Sequence, residues 1–224
     1  MTARVIVVQN PKGGVGKTTT AMYLARHCAE HGTTLLIGCD PQQQVLGWAS
    51  AITEDTEDGE DLPIRVVGLV TRDARRQVRR LAEDYDFIVV DTPGSTDSAV
   101  HPAQICRIAD LVIIPIAPST ADMDTLKHAI DMVLEAQNDE DCLIPRVVLV
   151  TRAKRRTKSL RAIYDAVDAM GELGDDYKIR ILGSPEHGHI RYLERFALGW
   201  GDQVDLDTDY AEIFTLLHQD YLSD

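Results

Sequence analysis

The sequence predicts an α/β fold, a mainly parallel twisted sheet with helices on both faces, built by residues 1–224 as a single domain. Short apolar runs rich in β-branched residues alternate with longer segments of helical period. Those runs are apolar at successive positions rather than at every second one, as in strands covered on both faces. A chain of 224 residues with 44% hydrophobic content can bury one such core, and it contains no internal repeat.

The elements follow in order. Residues 4–8 read as a buried first strand, a glycine-rich turn follows, and 18–31 have helical spacing with Gly32 as a stop. Further strands are expected at 34–37, 64–70, 87–90, 111–115, 146–150 and 178–182. Helical patterns lie at 73–84, 98–109, 121–137, 159–172 and 207–222. The acidic run at 54–61 reads as a solvated loop. Right-handed crossovers would gather the loops after the strands along one sheet edge, where ligands bind in open α/β sheets.

Composition narrows the classes. No run of 18 apolar residues exists, so no segment is expected to span a membrane. The first strand begins by residue 4, which leaves no room for a cleavable leader or a preceding helix-turn-helix, and a cytoplasmic location is expected. Cys28, Cys39, Cys106 and Cys142 lack C-x-x-C spacing, which disfavours a disulfide framework or zinc site. A net charge of −13 disfavours a protein that coats nucleic acid all over but leaves room for a local basic patch.

The chemistry concentrates in the turn after the first strand, where residues 12–19 read K-G-G-V-G-K-T-T. Strand, glycine-rich turn, Lys-Thr, helix is the context that phosphate binding requires. Gly13, Gly14 and Gly16 let backbone N–H groups turn inward around an anion, with Val15 between them and the helix dipole aimed at the same point. Lys17 is placed to reach the β- and γ-phosphates of ATP, Thr18 to hold Mg²⁺ through its hydroxyl, and Thr19 continues the motif. The strand at 87–90 ends in Asp91 followed by Thr-Pro-Gly, so a carboxylate at the strand tip can hold Mg²⁺ through water, before a switch loop. Asp40, in Asp40-Pro41-Gln42 after the second strand, is the remaining candidate for metal and catalysis.

The loop departs from the common G-x-x-x-x-G-K-[ST] pattern, with Pro11 where the first glycine belongs and a second lysine, Lys12. This form resembles the deviant phosphate loop of the ParA/MinD family of ATPases. Asp40-Pro41-Gln42 resembles the family's switch I motif, residues 109–119 its following strand with a Pro-Ser turn, and Leu149 to Arg152 the strand whose tip approaches the adenine. Residues 191–200 resemble the late segment that closes the nucleotide pocket. The likeness runs from about residue 4 to 218 and is nearest to short plasmid-partition ParA proteins without an N-terminal DNA-binding extension. It implies that Lys12 acts across a homodimer on the partner's nucleotide, that Asp40 positions the attacking water, and that Arg152 faces the nucleotide. It also implies slow ATP hydrolysis stimulated by a small centromere-binding partner protein, and an ATP-bound dimer that sits on nucleoid DNA without sequence preference. Many members carry another aspartate two positions before Asp40; this chain has Gly38.

A segment from Arg152 to Arg161 carries six basic residues and no acid. Lys154, Arg155, Arg156, Lys158 and Arg161 are the candidate DNA contacts, with intramolecular or dimer pairing as the alternative. Arg72, Arg75, Arg76, Arg79 and Arg80 form a second stripe, for which pairing within the helix is the stronger reading. Other functions on the same engine are a positioning ATPase for protein cargo or the division site, and a small-molecule ATP-dependent enzyme. The C-terminal tail, residues 209–224, has acids and no Lys or Arg, so an anionic membrane would repel it. Beyond the phosphate site no substrate constellation is visible, and Cys106 and Cys142 lack the glycine-rich setting of a cluster-bridging pair.

Overall fold

The computed structural model describes residues 2–55, 62–94, 98–140, 142–177, 179–193, 196, 202–206 and 208–222. Residues 56–61 of the acidic run, and most of the expected pocket-closing segment at 191–200, therefore lie outside the described residues. The chain runs β1 (Arg4–Val8), α1 (Lys17–Cys28), β2 (Thr34–Gly38), α2 (Gln44–Asp55), β3 (Arg65–Gly68), α3 (Ala74–Leu81) and β4 (Phe87–Asp91). It continues α4 (Pro102–Cys106), β5 (Leu111–Ile116), α5 (Thr120–Glu140), β6 (Arg146–Val150), α6 (Lys158–Met170), β7 (Arg180–Ile181) and α7 (Asp209–Leu217), ending in a π-helical turn, His218–Leu222.

The strands form one seven-stranded sheet in the order β3-β2-β4-β1-β5-β6-β7. Every pairing is parallel. Strand alternation splits the core in two. Val5, Val7, Leu35, Ile37, Ile88 and Val90 face α3, α4, α5 and α6, while Ile6, Val8, Leu36 and Val89 face α1, α2 and α7. These strands carry apolar residues on both sides because both sides are covered, which is what their unbroken apolar runs signalled.

Two elements differ from the sequence reading. The pattern at 98–109 contracts to α4, because His101 precedes Pro102 and is extended (φ −80, ψ 124), so the helix starts only at the proline. Helix α2 was not anticipated at all. Its signal is the apolar triplet Val45, Trp48 and Ile52, each buried to 4% exposure or less. Burying each contributes on the order of 1.5–3 kcal/mol. Helix α1 ends at Cys28, short of residue 31, and finishes in a tightened turn in which Glu30 N donates to His27 O and His31 N to Cys28 O. The other elements match to within a few residues, the expected strand at 178–182 shrinking to β7 with residue 178 outside the described set. Among the described residues, no helix is long and apolar enough to cross a membrane.

The register sets up the site. Val8 and Gly38 both pair with Asp91, so β1, β2 and β4 end level with one another. The turns after them, with Lys12 to Thr19, Asp40 and Thr92 onward, must therefore converge at one edge.

Candidate phosphate-binding site

The loop between β1 and α1 is held from below by side chains of neighbouring strands. Asn10 Nδ2 donates to Pro115 O (2.8 Å), while Asn10 Oδ1 accepts from Lys12 N (2.9 Å). Thr151 Oγ1 at the tip of β6 donates to Val15 O (2.8 Å), and Thr92 Oγ1 after β4 donates to Val8 O (2.9 Å). These bonds fix the loop before any ligand arrives, so little ordering cost remains for binding. Gly14 (φ 75) and Gly16 (φ 86) are left-handed, and Gly16 is the residue from which α1 departs.

An open cleft of about 580 Å³ lies above the loop. Gly13, Gly14, Gly16, Lys17, Thr18, Thr19, Asp40 and Arg152 line it, joined by Gln42, Gln44 and Ser98. Of the other candidates, Val15 is buried beneath the loop. Lys12 turns its ammonium out of the cleft, onto Asp122 Oδ1 at 3.0 Å.

Lys17 is 8% exposed, and its Nζ donates to Lys12 O (2.9 Å). Burial lowers its pKa, with Asp91 and Asp40 acting in the opposite direction. Thr18 Oγ1 donates to Asp91 Oδ2 (2.8 Å) and lies 3.3 Å from Gln44 Oε1. Asp91 Oδ1 is buried and has no hydrogen-bond partner among the described residues. Burial pushes the Asp91 carboxyl up to about 7, against the Thr18 hydrogen bond and the Lys17 ammonium, which lower it. Asp91 itself does not line the cleft but lies behind the cleft-lining Thr18 hydroxyl, and an unpartnered oxygen there suits a cation. A hard divalent ion taking oxygen ligands, such as Mg²⁺, fits Thr18 and Asp91. Asp40 stands on another wall of the cleft, where its Oδ1 accepts from Gln42 N (2.8 Å) and fixes the turn.

Gly38 is explained by packing. A Cβ there would lie 2.4 Å from Val45 Cγ2, so α2 rests on β2 at a spot with no room for a side chain.

Arg152 has a left-handed backbone (φ 51) and lines both the main cleft and a smaller adjoining pocket. That pocket is walled by Thr19, Ile190, Tyr192, Phe196 and Tyr210, and Tyr210 OH shares a hydrogen bond with Thr20 Oγ1 (3.0 Å). Sequence reasoning missed Gln44, Ser98 and Tyr210. Gln44 sat two residues beyond a motif already recognised, whereas nothing local marks Tyr210, which arrives from α7.

Lys154, Arg155, Arg156, Lys158 and Arg161 are all exposed, on the β6–α6 turn and the start of α6. None forms an ion pair among the described residues; Lys154 Nζ sits 5.7 Å over the Tyr192 ring. On α3 the expected pairing is present, if long, at 3.9 Å between Asp73 and Arg76. The four cysteines are free thiols, and three of them are buried.

The model of the CobQ/CobB/MinD/ParA nucleotide-binding domain matches residues 6–196. The chain belongs to this family. Among curated relatives, it is 27% identical over 166 residues to the maintenance of carboxysome distribution protein A of Halothiobacillus neapolitanus, covering 74% of each chain. It is 35% identical over 145 residues to the protein of that name from Gloeobacter kilaueensis, covering 64% of this chain and 63% of the relative. The Myxococcus xanthus chromosome partitioning protein ParA is 31% identical over 176 residues, 61% of each. Among solved structures, apo McdA of Cyanothece superposes with a TM-score of 0.73 at 18% identity, over 96% of this chain and 99% of that one. A further neighbour is the pNOB8 ParA bound to nonspecific DNA, at a TM-score of 0.63 and 18% identity, over 97% of this chain and 96% of that one. These two establish the shared fold of the CobQ/CobB/MinD/ParA family.

Proposed function

We propose that the protein is an ATP-dependent segregation ATPase: Mg-ATP closes a homodimer that binds DNA without sequence preference, and hydrolysis stimulated by a partner protein releases it. The observation that carries this reading is the preformed loop with two lysines, Lys17 in the cleft and Lys12 facing out of it. A loop serving only its own nucleotide needs one lysine; a second, turned outward, suits a site completed by another copy of the chain.

Each residue then has a role. The loop amides from Gly13 to Thr19 bind the phosphates, with Lys17 neutralising their charge. Thr18 and Asp91 hold Mg²⁺, which supplies charge neutralisation of the phosphate oxygens. Asp40 orients the attacking water, and Arg152 reaches over the nucleotide from the β6 tip. The exposed cations Lys154, Arg155, Arg156, Lys158 and Arg161 take the DNA backbone as a purely electrostatic surface. The same engine can carry a protein assembly instead of a plasmid or chromosome, and likeness to two carboxysome-distribution proteins favours that second cargo. Both readings share the nucleotide and DNA steps and differ in the partner.

Fluorescence anisotropy with a random-sequence duplex tests the shared steps. Binding should need ATP, weaken with salt, and disappear in Lys17→Ala. Reversing Arg155, Arg156 and Lys158 to glutamate should lower affinity and flatten the salt dependence, its slope falling by about 0.9 for each phosphate no longer neutralised. Binding that ignores nucleotide would overturn the switch, and unchanged binding after reversal would move the DNA surface elsewhere.

A further inference from the structure

The direction of the Lys12 side chain has its own cause. Its ammonium lies 3.0 Å from Asp122 Oδ1, with Lys12 31% exposed and the Asp122 side chain 7% exposed. Asp122 sits in the first turn of α5, in a reciprocal cap. Its N–H donates to Ser119 Oγ (3.2 Å), and the Ser119 hydroxyl donates to Asp122 Oδ2. Oδ1 is buried, and the Lys12 ammonium beside it offsets its charge. The two residues are 110 apart in sequence and meet because β1 pairs with β5, Val8 opposite Ile113, which sets the loops after those strands side by side.

The backbone of Lys12 is fixed on both sides, its N–H on Asn10 Oδ1 and its carbonyl under Lys17 Nζ. Only the side chain is free to swing. Moving the ammonium away leaves Asp122 buried and unpaired, and an unpaired buried charge is costly.

We infer that Asp122 is a positioning residue that holds Lys12 against its own protomer, so that the lysine reaches a second copy's nucleotide only by breaking the pair. This rests on the proposed dimer and adds to it a built-in brake on closure. The carboxylate sets the protein concentration at which nucleotide drives dimerisation; it touches no reacting atom.

Sedimentation of the full chain with a non-hydrolysable ATP analogue and Mg²⁺ tests this. Asp122→Asn keeps the shape and the helix cap but not the charge, and should tighten the dimer about fivefold to tenfold, the ratio set by losing two partly buried ion pairs, one in each protomer, at about 0.5–0.7 kcal/mol each. Asp122→Ala should do likewise should the asparagine protein fold poorly, and Asp122→Glu should return the wild-type value. Lys12→Ala should abolish nucleotide-dependent dimerisation, and adding Asp122→Asn to it should restore nothing. A merely structural Asp122 would lower the thermal midpoint without tightening the dimer. An unchanged or weaker dimer in both Asp122→Asn and Asp122→Ala overturns the brake while leaving the dimer reading intact. Normal dimerisation of Lys12→Ala overturns the dimer reading itself.

Discussion

Replacing Asp91 by asparagine should stabilise the nucleotide-free protein, and the gain should depend on pH. The Asp91 carboxyl lies at the tip of β4, fully enclosed, with one oxygen on Thr18 and the other without a hydrogen-bond partner among the described residues. Burial raises its pKa from 3.8 to about 7. The folded state therefore binds this proton more tightly than the unfolded chain does. Wild-type stability falls as pH rises from about 4 to about 7, and above that window the full penalty applies. Three units correspond to about 4 kcal/mol, at 1.36 kcal/mol per unit. Asparagine carries no charge and still accepts the Thr18 hydroxyl, but its amide N–H groups face a spot without an acceptor, which costs about 1–3 kcal/mol. The expected net gain is about 2 kcal/mol at pH 8, a rise of about 5 °C in midpoint for a domain of this size. By pH 5 the wild-type penalty has shrunk to about 2 kcal/mol, so the gain should be close to zero. Urea unfolding in EDTA at both pH values measures this. A loss of stability at pH 8, or a gain equal at both pH values, would refute burial as the origin of the shift. The same variant should lose the increase in ATP affinity that Mg²⁺ brings.

Two further expectations follow from the switch region. Gly38→Asp restores the aspartate that many family members carry, yet here its Cβ collides with Val45 and its carboxylate enters the β2 tip paired with Asp91. Urea midpoints should show a loss of about 1–3 kcal/mol from overpacking alone, relieved in part by Val45→Ala; an unchanged midpoint would mean that α2 shifts without cost. Asp40→Ala should bind ATP and dimerise but stop hydrolysing, as read by phosphate release, since Asp40 lines the cleft with its carboxylate fixing its own turn at Gln42 N. Normal turnover would assign the attacking water to another group.

What could be read from the sequence separates by distance along the chain. The strand, phosphate loop and start of α1 are contiguous, so residue order alone fixes their geometry, and the loop found by motif is the loop in the structure. The positions of Asp91 and Asp40 were legible for a related reason: Asp91 ends β4, Asp40 follows two residues after β2, and parallel strands with level tips deliver both to one edge. Helix α2 was hidden because Asp40-Pro41-Gln42 reads as a turn, and Gly47, Ser50 and Thr53 dilute the helical pattern that Val45, Trp48 and Ile52 carry. The orientation of Lys12 belongs to a third class. Ser119-x-x-Asp122 is visible as a helix cap, but its second role exists only because β1 and β5 are neighbours in the sheet, and the order of strands is not written in any local run of residues. The direction in which the lysine points is set by that non-local contact and not by the motif. A substitution in the first turn of α5, which no phosphate-loop motif includes, should therefore change how the loop behaves.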